Sequence, residues 1–234
     1  MITVQRVRLF DLSPLFSDHE VKAVIGFFQG RGKNAIAEER VHLAEKAGFA
    51  TDNSAYGYQI HSAIINIVNA SGFAGEGDGL ITSNPDIVLT IQVADCVPLF
   101  IHSKNSHVQG LFHVGWRGAV KGIVKEGIDH MVEKLAVKPE KMEAVLGPSI
   151  GSCCYQIRKD VANYFPYKFL TRENEEHFYL DLPGFVKSAL IDSGLSKDNV
   201  KEDGHCTFCS KENFHSFRRD GEKAGRILCF LGRR

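Results

Sequence analysis

The chain has 234 residues, 44% of them hydrophobic, with 28 basic and 28 acidic side chains. That length can bury a substantial core, while the balanced charge argues against a nucleic-acid partner. No apolar run reaches the roughly eighteen residues of a membrane helix, which argues against a membrane partner as well.

The opening MITVQRVRLFDL has the alternation of a strand, not the basic end and apolar centre of a secretory leader. The expectation is a cytoplasmic protein whose six cysteines are thiols or metal ligands, not a disulfide framework. With no internal repeat and no low-complexity linker, residues 1–234 read as a single domain. ITVQRVRLF and VKAVIGFF are expected strands. Asn34 to Gly48 reads as a helix, with Asn34 as cap and Gly48 as stop. Two short strands follow around Gln59, Ile60 and His61. SGFAGEGDGL, residues 71–80, reads as a phosphate cradle or a mobile surface loop; it lacks the Lys-Ser/Thr pair of a P-loop.

Residues 87–103 have buried-strand composition interrupted by Asp95 and Cys96, and Pro98 argues against a continuous central strand. HVQGLFHV is another strand. Ala119 to Leu135 reads as one helix, with Val120, Ile123, Val124, Ile128, Met131 and Leu135 on its apolar face. MEAVLG is a strand leading into GPSIGSCCYQI, expected as a strand–loop–helix turn. A helix through Val161 to Phe165 is expected to continue with Tyr155 and Ile157. HFYLDL is a strand, a helix spans Phe185 to Ile191, and GRILCFLG is the last strand. Strands outnumber helices in irregular order, which favours an α/β fold of mixed sheets covered by helices over a regular βαβ repeat.

Three chemistry-bearing groups fall at strand ends: His61, Cys96 and His113. One cysteine and two histidines supply the three ligands of a catalytic zinc, leaving a fourth position open. The alternative is a small buried thiol, a core histidine and a loop histidine. In HVGWRG, the turn after His113, Arg117 is a fork suited to phosphate. The helix expected from Gly118 adds free N–H groups. The alternative there is a core Trp116 with Arg117 in a surface ion pair.

Five stretches together resemble one family: QIHS (59–62), ADCVPLFI (94–101), HVGWRG (113–118), GPSIGSCCYQI (147–157) and CTFCSKENFHSFRRDGEKAGR (206–226). The family was first described as multicopper polyphenol oxidases or bacterial laccase-like proteins. It is now read mainly as zinc-dependent purine nucleoside phosphorylases. The resemblance implies a layered α-β-β-α arrangement with mixed β-sheets flanked by helices, and His61, Cys96 and His113 as zinc ligands. It implies phosphorolysis of adenosine, inosine, guanosine and methylthioadenosine, with some adenosine deamination and a link to cell-wall editing. Two departures stand out. Ser62 replaces the family's glycine after the histidine, and GFFQGRGKN (26–34) is shorter than the family's arginine-bearing loop, with Arg31 the nearest match.

The chemistry assigns further expectations. Asp95 is the acid beside a proposed ligand, acting as a proton shuttle or orienting a ligand histidine. In a regular strand it would point away from Cys96, so both line one site only if the chain bends there. Arg117 contacts the anion, and Arg31, Ser149 and Arg218 are candidate substrate-binding residues, with Ser152 beside Ser149. Cys153 and Cys154 read as packing thiols or, less readily, a nucleophile. Cys206, in HCTFC, reads as packing or pocket lining, because no further pair has convincing spacing for a structural zinc. The expected partners are purine nucleosides and inorganic phosphate, in a monomer or homodimer. Copper fits less well than zinc, since no His-x-His occurs. A cysteine hydrolase using Cys96 and His113 on cell-wall precursors, and a metal-dependent binding protein, stand as alternatives.

Overall fold

A computed structural model describes residues 8–28, 33–211 and 213–233. Arg31 lies outside these residues, as does most of the first expected strand; Asn34, expected as a cap, lies inside the first helix, which already begins at Lys33. The first half of the chain forms β1 (Leu9–Asp11), β2 (Val21–Phe28), α1 (Lys33–Lys46), β3 (Ser54–Tyr58), β4 (Ile65–Ile67), β5 (Gly72–Glu76) and β6 (Gly79–Thr82). The centre forms β7 (Val88–Val93), β8 (Val97–Ser103), β9 (Gln109–Val114), α2 (Trp116–Val120), α3 (Ile123–Leu135) and β10 (Met142–Leu146). The rest adds β11 (Gln156–Arg158), α4 (Lys159–Ala162), β12 (Leu170–Arg172), β13 (His177–Leu180), α5 (Leu182–Asp192), β14 (Val200–Glu202), α6 (Phe217–Asp220) and β15 (Arg226–Arg233).

Two six-stranded sheets carry the architecture, in the orders β1-β2-β15-β7-β3-β5 and β14-β10-β8-β9-β6-β4. Both are mixed. β3 runs parallel to β5 and β7, β4 to β6, and β10 to β14, while the remaining pairs are antiparallel. A three-stranded sheet, β11-β13-β12, stands beside them.

Side-chain alternation places each layer. In β8, Leu99 and Ile101 face the core shared with α3 and α5, while Phe100 faces the other sheet. In β15, Ile227, Cys229 and Leu231 face the inter-sheet core, while Leu228 and Phe230 meet Leu43 and Ala44 of α1. The order is therefore α1, first sheet, second sheet, α3 with α5: the expected α-β-β-α layering. Both faces of each central strand are covered, which explains why β8 and β9 read as near-continuous apolar runs.

Four local expectations are corrected. The helix expected over Ala119 to Leu135 is two helices, because Gly122 takes φ +85 between α2 and α3. Residues 71–80 are neither cradle nor surface loop. They supply β5 and β6, and Gly77 to Leu80 are buried. Pro98 sits inside β8, paired with His113, so the break in the run lies at 94–96 instead. GPSIGSCCYQI ends in strand β11, not a helix, and α4 covers only Lys159–Ala162.

Candidate active site

The His61, Cys96 and His113 side chains converge, with their ligand atoms within 4.8 Å of one another. Each comes from a strand end. His61 follows β3, Cys96 fills the gap between β7 and β8, and His113 is the penultimate residue of β9. Their exposure is graded: His113 is buried, Cys96 half-buried and His61 exposed, so the cluster opens on one side.

Backbone conformation makes this convergence possible. His61 takes φ +56 and Asp95 φ +89, a region that non-glycine residues enter at a cost of order 1–3 kcal/mol. At Asp95 the turn breaks the strand alternation, so Asp95 and Cys96 both line one cavity. Gly115 is required by close approach. A Cβ there would lie 2.9 Å from Cys96 Sγ and 3.0 Å from His61 Cδ2.

Asp78, between β5 and β6, organises the cluster from behind. Its carboxylate accepts the backbone N–H groups of Ile60, His61 and Ser62, at 3.2, 3.0 and 2.6 Å, and the Ser62 hydroxyl at 2.7 Å. Its Oδ1 lies 2.8 Å from His113 Nδ1. That contact puts a proton on Nδ1 and leaves Nε2 as the lone-pair side of a neutral ring. Ser62, the departure from the family glycine, is thus a further donor to the same carboxylate.

Electrostatics follow from these contacts. Burial disfavours the Asp78 charge, yet hydrogen bonds from His113 and Ser62 bring its pKa down to about 2. Burial also opposes ionisation of Cys96, but His113 and His61 outweigh it and lower the thiol to about 6. His113 is pulled down by burial and, more strongly, raised to about 9 by Cys96 and Asp78. Without a metal, these opposite shifts favour a thiolate at Cys96 beside an imidazolium at His113.

The cavity above the cluster has a volume of about 520 Å³, within the range of small-molecule sites. Trp116, Tyr155 and Phe217 give it aromatic wall, and Arg117, Arg218 and Arg226 give it three guanidinium groups. The Arg117 guanidinium lies 4.4 Å from the Trp116 ring centroid. Trp116 is half-buried, packing against the core beneath it while also lining the cavity. Because α2 has only five residues, its dipole adds little to anion binding. Asp95 uses both carboxylate oxygens: Oδ1 accepts the Thr207 hydroxyl at 2.6 Å, and Oδ2 the Arg218 backbone N–H at 2.7 Å.

Of the two neighbouring arginines, Arg218 faces the cavity. Arg219 is held by the carbonyls of Thr207, Phe208 and Phe214 and by Asp220. Ser149 sits behind the wall, 4% exposed, and its backbone pairs with His205 and Thr207. Cys153 and Cys154 are not buried packing thiols but exposed and half-buried. Sequence reasoning missed Asp78, Tyr155, Thr207 and Arg226. Tyr155, Thr207 and Arg226 lie in two of the stretches that carry the resemblance, while the signal for Asp78 was an acid set among glycines directly before an apolar strand.

Residues 22–234 match the family described as multi-copper polyphenol oxidoreductase laccase. A Deinococcus radiodurans protein named purine nucleoside phosphorylase is 34% identical over 200 residues, 84% of this chain and 77% of that protein. Purine nucleoside phosphorylase YlmD of Geobacillus stearothermophilus is 30% identical over 228 residues, 90% of this chain and 83% of that protein. The crystal structure of YlmD from Geobacillus stearothermophilus superimposes with a TM-score of 0.86 at 25% identity, covering 94% of each chain. A Bacillus licheniformis protein, YfiH, shares the fold, with a TM-score of 0.85 at 24% identity over 92% of this chain and 94% of that one.

Proposed function

The chain belongs to the multi-copper polyphenol oxidoreductase laccase family, and on that premise we propose that it is a zinc-dependent purine nucleoside phosphorylase. Its substrates are adenosine, inosine, guanosine or methylthioadenosine together with inorganic phosphate. The observation that carries this reading is the meeting, in one cavity, of a Cys–His–His donor set with three arginines and an aromatic wall. The relatives named purine nucleoside phosphorylase supply the reaction class.

The donor set fits zinc. It offers one thiolate and two imidazoles, a carboxylate fixing one imidazole's tautomer, and an open side toward the cavity. Copper oxidation needs more imidazoles than the two gathered here. When bound, zinc supplies Lewis acidity toward a substrate oxygen.

In phosphorolysis a phosphate oxygen attacks C1′ of the ribose. The C1′–O bond forms as the C1′–N9 bond breaks, and the purine leaves with the electron pair and takes up the proton that the hydrogenphosphate gives up. Arg117 holds the phosphate dianion, aided by Arg218 and Arg226, and neutralises charge that would otherwise repel the departing base. Trp116, Tyr155 and Phe217 cover the apolar faces of the nucleoside and exclude water. Asp95 is a positioning residue, since its oxygens fix Arg218 and Thr207. Ser149 braces the wall that carries Tyr155. The cytoplasm, where both substrates occur, is the proposed location.

Incubation with adenosine, with and without inorganic phosphate, tests this. Phosphate-dependent adenine that is lost in Cys96→Ala, with an elevated phosphate KM in Arg117→Ala, is the expected result. Adenine release indifferent to phosphate would overturn it, and inosine formed without phosphate would assign deamination to the site instead. One observation favours a second reading: Cys96, His113 and Asp78 line up as a thiol, a base and its orienting acid. A cysteine hydrolase built this way would stay alkylable at Cys96 in the presence of zinc, whereas a zinc ligand would be protected.

A further inference from the structure

A second cluster of sulfur ligands lies outside the cavity. Cys153 and Cys154 sit in the turn that closes the 147–155 loop, where the Cys154 and Tyr155 N–H groups both donate to Gly151 O. Cys206 and Cys209 form a Cys-x2-Cys turn in which the Ser210 N–H donates to Cys206 O at 2.9 Å. All four Sγ atoms lie within 4.8 Å of one another. Cys209 Sγ is 3.6 Å from that of Cys153 and 3.2 Å from that of Cys154.

We propose that Cys153, Cys154, Cys206 and Cys209 bind a structural zinc ion in a tetrahedral four-sulfur site. Zinc–sulfur bonds of about 2.3 Å place tetrahedral sulfurs roughly 3.8 Å apart, and the cluster already lies near that size. An iron–sulfur cluster would spread its thiolates wider, because several iron atoms and bridging sulfides sit between them. The four sulfurs are free thiols. The shortest separation exceeds the roughly 2.05 Å of a disulfide bond. The Gly151 N–H donates to Cys206 Sγ at 3.3 Å, the kind of backbone contact that supports a metal-bound thiolate. Two sulfurs come from each loop, so one ion joins them.

Those loops form part of the cavity wall. The 147–155 loop contributes Ile150 and Tyr155 to the lining, and Thr207, between the other two cysteines, holds Asp95. Between the loops run Ser149 N–H to His205 O at 3.2 Å and Thr207 N–H to Ser149 O at 3.0 Å. A zinc ion here fixes the wall that carries Tyr155 and orients Asp95, without touching substrate. The inference stands independently of the proposed reaction.

Elemental analysis of the purified full chain tests it. The expected content is about two zinc ions per chain, falling to about one in Cys96→Ala and to about one in Cys206→Ser/Cys209→Ser. Cobalt reconstitution of Cys96→Ala guards against a double variant that does not fold. It should give intense sulfur-to-metal charge transfer with tetrahedral d–d bands. The four thiols should resist iodoacetamide until a chelator is added. Rapid alkylation of all four in the untreated protein, an isolated Cys154–Cys209 disulfide, or stoichiometric iron with an iron–sulfur chromophore would each overturn the proposal.

Discussion

At Asp78 one carboxylate gathers three backbone N–H groups, a hydroxyl and an imidazole. Replacing it with asparagine removes the charge and puts an amide donor where an acceptor is needed. Asp78→Asn should weaken zinc affinity by roughly 10–100-fold, the usual cost of losing such a partner, measured by competition with a chromogenic chelator. An unchanged affinity would mean that His113 is oriented by something else. Metal-free protein should also show alkylation of Cys96 with a midpoint near pH 6, against about 8.5 for an ordinary thiol. The deprotonated form is the nucleophile, so the rate rises through that pH; a midpoint at the ordinary value would remove the thiolate–imidazolium pair. His61, Cys96 and His113 were legible as candidates for one site because each interrupts or ends an apolar run, and the structure brings their ligand atoms together. The glycine-rich surroundings of Asp78 read as loop until β5 pairs with β3 and β6 with β4 and β9. The four-cysteine cluster was hidden differently: an adjacent pair and a Cys-x2-Cys turn lie some fifty residues apart, and only β-pairing between Ser149 and Cys206 brings them together.

α3 rests on β9 through a contact that leaves no room for a methyl group. A Cβ on Gly127 would lie 2.4–2.5 Å from two Phe112 ring carbons. Alanine favours a helix over glycine by about 0.8–1 kcal/mol, while overpacking a core costs about 1–3 kcal/mol. Gly127→Ala should therefore be destabilised by about 1 kcal/mol net, read as a lower urea midpoint; a higher midpoint would show that helix propensity wins. Gly122 has the opposite problem. Nothing lies within 4 Å of its missing Cβ, but its φ of +85 disfavours any side chain. The same reasoning explains why the sequence suggested one helix here: apolar periodicity runs through Gly122 almost unbroken, and periodicity does not report a left-handed residue. β2, β9, β10 and β15 were legible because continuous apolar runs bounded by polar turns mark strands covered on both faces. The β11 strand was not, since Tyr155 and Ile157 also suit a helix face and only pairing with β13 decides.

Across the whole molecule, acid stability depends on buried titratable groups, one of them in β8 and one behind the site. His102 is fully buried in β8, and burial holds its pKa down to about 4 despite Asp18. Its Nε2 is 3.1 Å from Asp18 Oδ2, but the contact does not meet hydrogen-bond geometry, and Arg233 donates to the same oxygen at 2.9 Å. Between about pH 6.5 and 4 the unfolded chain binds a proton there that the folded chain does not. Stability therefore falls with pH across that window, by about 3 kcal/mol in total. Asp78 adds a further loss below its unfolded value near 3.8, as pH falls toward about 2. Urea midpoints at pH 7 and 4.5 should differ more for the native chain than for His102→Gln, and equal differences would contradict this assignment. The two sheets and their helices position an arginine-lined cavity, and phosphorolysis of a nucleoside is the reaction proposed for it. The most direct test is phosphorus NMR of the zinc-loaded protein with adenosine and inorganic phosphate. Ribose 1-phosphate accumulating in equal amount with adenine is the expected result; adenine with no phosphorylated sugar, or adenosine left unchanged by protein confirmed to carry its zinc, would rule phosphorolysis out.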